Sequence, residues 1–388
     1  MLVLATDEAR EGMKLAAPVP HPDQPDQVLL RGGYILEPTV IRRMLDMRIP
    51  AVFIDYPALD DLDKHLAPYL SPARQQVYAQ IKKGIANSQR STNAKVNYND
   101  YQETTKGLIE TLLMQGKNPL FLDQMSRLGG DSVGHATAVA HLALLLGIKV
   151  ENYLIDQRKR LPCSRAKEVV GLGVAGMLHD IGKTELPAHV ATAWETNQPQ
   201  SESDRDLYIS HVERGYNQLR GEIEPTASTA VLQHHRNFDG SGFPTLRHAD
   251  GTLREIQGHR IHIFARILRV ADLYDRLATT ETGERRTNVE IYYRMRTDCL
   301  GFTDPVIVQA LQQIAPPFPP GCRLTLSDGT SAVVTQTSAI DPFRPIVRRV
   351  TGEQLTMEGD AIDLGGDGAP EIVTIGKTAV EPFLPVAA

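Results

Sequence analysis

The sequence predicts a mainly α protein: a helical bundle flanked by a small N-terminal mixed α/β domain and a small C-terminal β module. Three observations predict this. From residue 98 to 315 nearly every long segment carries apolar residues at helical spacing. Before residue 70, short strand-like runs surround a single amphipathic stretch. After "APPFPPG" (315–321) the texture changes to β-branched residues alternating with turn residues.

In the first domain (1–70), "VLLRGGYIL" (28–36) reads as a strand, a Gly-Gly turn and a short strand. "EPTVIRRMLDMRIPAVFID" gives a helix with Ile41, Met44 and Leu45 on one face, then a strand from Ala51 to Asp55. A helical linker follows over 71–116, with Ser71 as N-cap and Pro72 at the first helical position. Its periodicity suits a dimerising helical pair. The bundle (117–315) includes "HATAVAHLALLLGI", "RAKEVVGLGVAGMLHDIG", "ISHVERGYNQL" and "IHIFARILRVADLYDRLAT". The module over 316–388 carries an Asp-Gly hairpin signal at 328–329 and a looser Gly- and Asp-rich tail at 358–369.

Composition narrows the function classes. A net charge of −6 argues against sequence-independent binding to a nucleic acid polymer or an anionic membrane. Cys163, Cys299 and Cys322 are far apart and form no CxxC pair, which argues against a disulfide framework or zinc–thiolate site and suits a reducing cytoplasm. The N-terminus lacks a basic region followed by an apolar core, and the run "HLALLLGI" (141–148) is too short to span a bilayer.

The polar residues inside the apolar helices carry the chemistry. "VVGLGVAGMLHDIGK" is apolar until His179 and Asp180 arrive together, and Asp272 sits within "IHIFARILRVADLYDRLAT". A carboxylate buried without a partner costs roughly several kcal/mol, so each needs a cation or a metal. Lys183, four residues after His179, puts a positive charge beside that site. A lone buried histidine is more often a satisfied core residue, and a lone buried aspartate more often pairs with an arginine such as Arg266 or Arg269. Taken together, His135, His179, Asp180, His211, His234, His235 and Asp272 form a nitrogen and oxygen set suited to Mn, Fe, Co, Ni or Zn. His141, His189, His259 and His262 read as bystanders. Adjacent helical side chains splay about 100° apart, so the doublet in "VLQHHRNFDGSGFP" (231–244) is expected where a helix ends and Asp-Gly-Ser-Gly turns the chain.

The ordered blocks "HATAVAHLALLLG", "HDIGKTELP", "HVERG", "HHRNFDGSGFP" and "RILRVADLYDRL" resemble the HD-GYP subgroup of the HD metal-dependent phosphohydrolases, over roughly residues 125–300. The resemblance implies an HD-type bundle and hydrolysis of cyclic di-GMP to pGpG and/or GMP. It also implies two divalent ions, Fe or Mn, with a third in some members. By position, His135, His179, Asp180 and Asp272 would hold one ion, and Asp180 would bridge to a second held by His211, His234 and His235. Asp131, four residues before His135, stands where three-metal members carry glutamate. Asp180 and Lys183 take the catalytic positions: a metal-activated hydroxide attacks phosphorus while the metals and Lys183 neutralise the developing charge.

Three departures accompany the resemblance. Phe243 replaces the family tyrosine, Arg236 replaces a glutamate, and "TETGERRTNVE" stands where an Arg-Pro-Tyr-Arg segment binds substrate. Lys183, Arg236, Arg285 and Arg286 are therefore the candidate substrate-binding residues. Two other readings stay open: an HD phosphohydrolase of another cyclic dinucleotide or nucleotide, and a catalytically weak nucleotide-binding signalling module. The partners expected are cyclic di-GMP, signalling proteins reaching the Gly-Phe-Pro loop (242–244), and a second copy of the chain.

Overall fold

The computed structural model describes residues 2–21, 27–47, 49, 51–56, 72–90, 97–114, 132–193, 201–247, 250–280, 285–352 and 356–385. The N-terminal unit contains β1 (Leu2–Ala5), β2 (Val19–Pro20), β3 (Val28–Leu30), α1 (Pro38–Asp46) and β4 (Ala51–Ile54). β1 pairs antiparallel with β4, and β2 with β3. Proline at the first helical position starts α1 where the expected helix begins. Its inward face differs from expectation: Met44 is buried and Ile41 packs beside the core, but Leu45 is exposed.

α2 (Pro72–Arg90) and α3 (Tyr98–Met114) form the segment expected to link. They are part of the bundle instead, since Val77, Ile81, Tyr101, Leu108 and Leu112 all lie in its central core. Their apolar stripes are used within one chain. Ser71, the expected cap of α2, lies outside the described residues.

The remaining bundle helices are α4 (Ser132–Lys149), α5 (Glu151–Gln157), α6 (Cys163–Ala166), α7 (Val170–Leu178), α8 (Ala188–Ala193), α9 (Glu202–Ile209), α10 (His211–Leu219), α11 (Pro225–Gln233), α12 (Ile263–Leu277), α13 (Asn288–Thr297) and α14 (Pro305–Ile314). α4 has 18 residues with a mean hydropathy of 1.3, long and apolar enough to cross a membrane by length and composition. However, 78% of it is buried in the bundle, where it serves as a core helix. It packs tightly on α7: a Cβ on Gly176 would lie 2.7 Å from the Cα of Ala140. That close approach brings residues of the two helices within reach of one site.

The C-terminal module is one antiparallel sheet of β5 (Arg323–Leu326), β6 (Ser331–Gln336), β7 (Ile346–Thr351), β8 (Thr356–Asp363), β9 (Ile372–Ile375) and β10 (Thr378–Ala379), in the order β10-β9-β5-β6-β7-β8. The β5–β6 hairpin turns at Asp328-Gly329, with Gly329 at φ 79°. The segment read as a loose tail contains most of β8, whose pairing with β7 outweighs its poor strand composition. Ala332 and Val334 of β6 join the bundle core, whereas Val333 joins the core of the N-terminal unit together with Val350. The sheet is thus apolar on both faces and sits between bundle and N-terminal unit, which accounts for the unbroken "AVV" in β6.

Candidate metal centre

Five structural pieces deliver the polar residues. His135 comes from α4, His211 opens α10, and Asp272 lies in the middle of α12. His179 is the C-cap of α7, after which Asp180 leads a short 3-10 turn that carries Lys183. α11 stops at Gln233, so His234 is its C-cap and His235 falls in the turn beyond. Leaving the helix there lets two neighbouring imidazoles point to one place. The following turn is closed by Asp239, whose Oδ1 accepts from Ser241 N at 2.8 Å and Ser241 Oγ at 2.7 Å. The Phe243 ring then stacks 4.6 Å from His235 and 6.0 Å from His211, which gives that aromatic a packing role that needs no hydroxyl.

The ring orientations fix the chemistry of the imidazoles. His179, His211 and His234 each donate Nδ1–H to the carbonyl three residues earlier, on Gly176, Tyr208 and Val231, at 2.8, 2.6 and 2.6 Å. A proton held at Nδ1 leaves Nε2 as a lone pair. The Nε2 atoms of His211, His234 and His235 are buried without a hydrogen-bond partner. Those of His211 and His234 face Asp180 Oδ1, at 3.3 and 3.7 Å. The Nδ1 of His135 meets Asp275 Oδ2 at 2.7 Å, and its Nε2 lies 3.3 Å from Nε2 of His179.

Lone pairs aimed at one another and at carboxylate oxygens repel unless a cation lies among them. The residues therefore fit divalent ions. They form two groups that share one carboxylate: His135, His179 and Asp180, and Asp180, His211, His234 and His235. Asp272 adjoins the first group, with Oδ1 3.1 Å from His135 Nε2 and 4.0 Å from His179 Nε2.

The electrostatics agree. Burial opposes ionisation of Asp180, but Lys183 and the surrounding imidazoles hold its carboxyl well below the usual range. Burial likewise opposes Asp272, and Arg276 and His135 overcome it. Burial, the largest cause in each case, pushes His179 down to about 3 and His211 down to about 4. Both rings are neutral near pH 7, as ligands must be.

The substrate-binding candidates divide. Lys183 is buried with Nζ 2.6 Å from Asp180 Oδ2, inside the cluster. Arg236 has a different place from the one expected: its Nη1 and Nη2 donate to the carbonyls of Pro244 and Ile256, which pins the loop. Nη1 of Arg286 donates to the carbonyls of Leu277 and Thr279, and Arg285 bridges to Thr279. Asp131 and residues 281–284 lie outside the described residues. Sequence reasoning missed Asp275 and Arg276, three and four residues after Asp272 on α12, a spacing that puts them on its face. Arg266, offered as a partner for Asp272, pairs with Asp304.

The HD domain family matches residues 164–291, a span that holds His179, Asp180, His211, His234, His235 and Asp272. That match covers about a third of the chain. The chain is 25% identical over 240 residues to the cyclic di-GMP phosphodiesterase PA4108 of Pseudomonas aeruginosa, covering 60% of this chain and 52% of that protein. It is 32% identical over 114 residues to the cyclic di-GMP phosphodiesterase response regulator RpfG of Xanthomonas campestris, covering 29% of this chain and 27% of that one. A third relative, the 3'3'-cGAMP-specific phosphodiesterase 2 of Vibrio cholerae, is 29% identical over 134 residues, covering 31% of this chain and 23% of that one. The chain spans about half the length of the first of these relatives and about a quarter of the other two.

Proposed function

We propose that the chain is a cytoplasmic, metal-dependent phosphodiesterase that hydrolyses cyclic di-GMP to pGpG or GMP. The observation that carries the reading is the sharing of Asp180 between two groups of buried imidazoles. In this reading His135, His179, Asp180 and Asp272 would hold one ion, and Asp180, His211, His234 and His235 would hold a second. Iron or manganese suits such a set without thiolates. When bound, the pair of ions supplies an activated water and neutralises phosphoryl charge.

The chain's own residues complete the site. Lys183 places its ammonium against Asp180, where it draws a phosphoryl oxygen towards the cluster. The lining of one cavity of about 130 Å³ includes Ile81, Ile85, Tyr101 and Met177 together with Asp180 and Lys183. A lining of apolar and charged groups together suits a nucleobase with its phosphate. α2 and α3 supply Ile81, Ile85 and Tyr101, so the segment first read as a linker takes part in substrate binding.

Another cyclic dinucleotide is the second reading. It is favoured by the engagement of Arg236 and Arg286 with backbone carbonyls, which leaves cyclic di-GMP without those two cations, and by the relative named for 3'3'-cGAMP. The test uses protein reconstituted anaerobically with iron or manganese and incubated with each dinucleotide in turn. Linear product from cyclic di-GMP, abolished in His179→Ala, is expected. Cleavage of 3'3'-cGAMP alone moves the reading to the second substrate. Binding without cleavage of either makes the chain a nucleotide-binding signalling module.

A further inference from the structure

Arg276 is an unusual neighbour for a metal site. It follows Asp272 by four residues on α12, and its Nε donates to Asp272 Oδ1 at 2.6 Å. That oxygen is the one facing His135 and His179. The other end of the same guanidinium, Nη2, lies 3.6 Å from Asp180 Oδ2, the oxygen that also meets Lys183. One cationic side chain therefore spans both buried carboxylates of the cluster. Burial works against its charge, but Asp272, Tyr208 and Asp180 together keep its pKa well above the ordinary arginine value.

A divalent ion coordinated by His135, His179 and Asp272 needs the Asp272 oxygen that Arg276 holds. A guanidinium cannot shed its proton to make way, so an ion that takes the same lone pair has to displace it. Withdrawal is feasible, because the side chain is 21% exposed. Leaving also takes one of two cations away from Asp180 Oδ2, the oxygen on the side of His135 and His179, and leaves Lys183 on it.

We infer that Arg276 is a tethered cation that competes with divalent metal for Asp272 and Asp180, holding the site together when ions are scarce and setting the concentration at which it loads. It is a positioning residue that acts through the two aspartates. The inference rests on the two-ion reading of the site. It adds that loading is an exchange of one charge for another.

Metal affinity and stoichiometry, read by calorimetric titration of chelator-treated protein with manganese and by elemental analysis, separate the outcomes. Arg276→Ala is expected to bind metal on the order of tenfold more tightly than the unaltered protein, and to have a lower melting temperature after chelation. Arg276→Lys, which keeps a charge on the same face, is expected to fall between them. If Arg276 instead orients Asp272 as a supporting partner, Arg276→Ala weakens metal affinity by about 10–100-fold, and the inference is overturned. Equal affinity in all three proteins overturns it as well. Absence of metal from the unaltered protein and from every variant refutes the two-ion reading itself, and the inference with it.

Discussion

At the scale of single residues, the centre depends on which nitrogen of each ring carries the proton. Three backbone carbonyls hold Nδ1–H of His179, His211 and His234, so each ring presents its lone pair inwards without any rearrangement on metal binding. His234→Ala, or His235→Ala, is expected to remove one metal equivalent by elemental analysis while circular dichroism stays unchanged; unaltered metal content would refute the ligand assignment. Lys183→Ala should keep its metals and lose about a hundredfold or more in turnover, the scale of a lost transition-state contact. Turnover at the level of the unaltered protein would remove Lys183 from the mechanism. The same rings predict a pH dependence. Unfolded histidine takes up a proton near pH 6.5, whereas folded His179 and His211 resist until about 3 and about 4. As pH falls from 6.5 to 4 the unfolded state therefore binds more protons, and the chelated protein loses stability. His135, whose pKa is raised, opposes this but is outnumbered. Denaturant midpoints measured from pH 7 to pH 4 should fall steadily; a flat series would show that these rings are not neutral in the fold.

At the scale of elements, the site depends on close backbone approaches. The turn after Asp180 runs against the start of α10, where a Cβ on Gly182 would lie 2.0 Å from the His211 carbonyl oxygen and 2.5 Å from the Gly215 nitrogen. Backbone atoms cannot yield as a flexible side chain can. Gly182→Ala should therefore push His211 away from Asp180 and cost about 2 kcal/mol or more of stability, on the scale of overpacking. Chemical denaturation measures the stability loss, and metal titration should find the ion at His211 weakened. Retention of both would mean that α10 slides without consequence. The signature "HDIGK" carries this glycine for steric reasons as much as for chemistry. α12 was legible as an apolar helix with one buried aspartate, but the partners of Asp275 and Arg276 come from α4 and the turn at Asp180, which the sequence of α12 does not contain.

At the scale of the whole molecule, the sheet joins the two ends of the chain. Val333 faces the N-terminal unit and its neighbour Val334 faces the bundle, while Lys377 pairs with Asp7 across the chain ends. Val333→Asp would bury a charge in that contact at a cost of roughly 3 kcal/mol or more. The expected result is early proteolysis of the N-terminal unit with metal content unchanged, since the centre lies on the other side of the sheet. Metal loss accompanying that cleavage would show that the N-terminal unit supports the centre directly.

By itself the sequence determined the mainly α class, the helices, the β module and the identity of the polar residues that meet in the core. Apolar periodicity and buried polar letters are local and costly to misplace, so they can be read along the chain. Only the tertiary structure decided that α2 and α3 join the bundle, that 356–363 is a strand, and that Arg236 and Arg286 serve backbone carbonyls. An arginine's sequence position says where its Cα lies, whereas a flexible stem lets the charge settle on whichever acceptors the fold brings near. The partners of Arg276 are residues 272 and 180, one turn away and 96 residues away, and packing α12 against the turn at Asp180 is what brings them together.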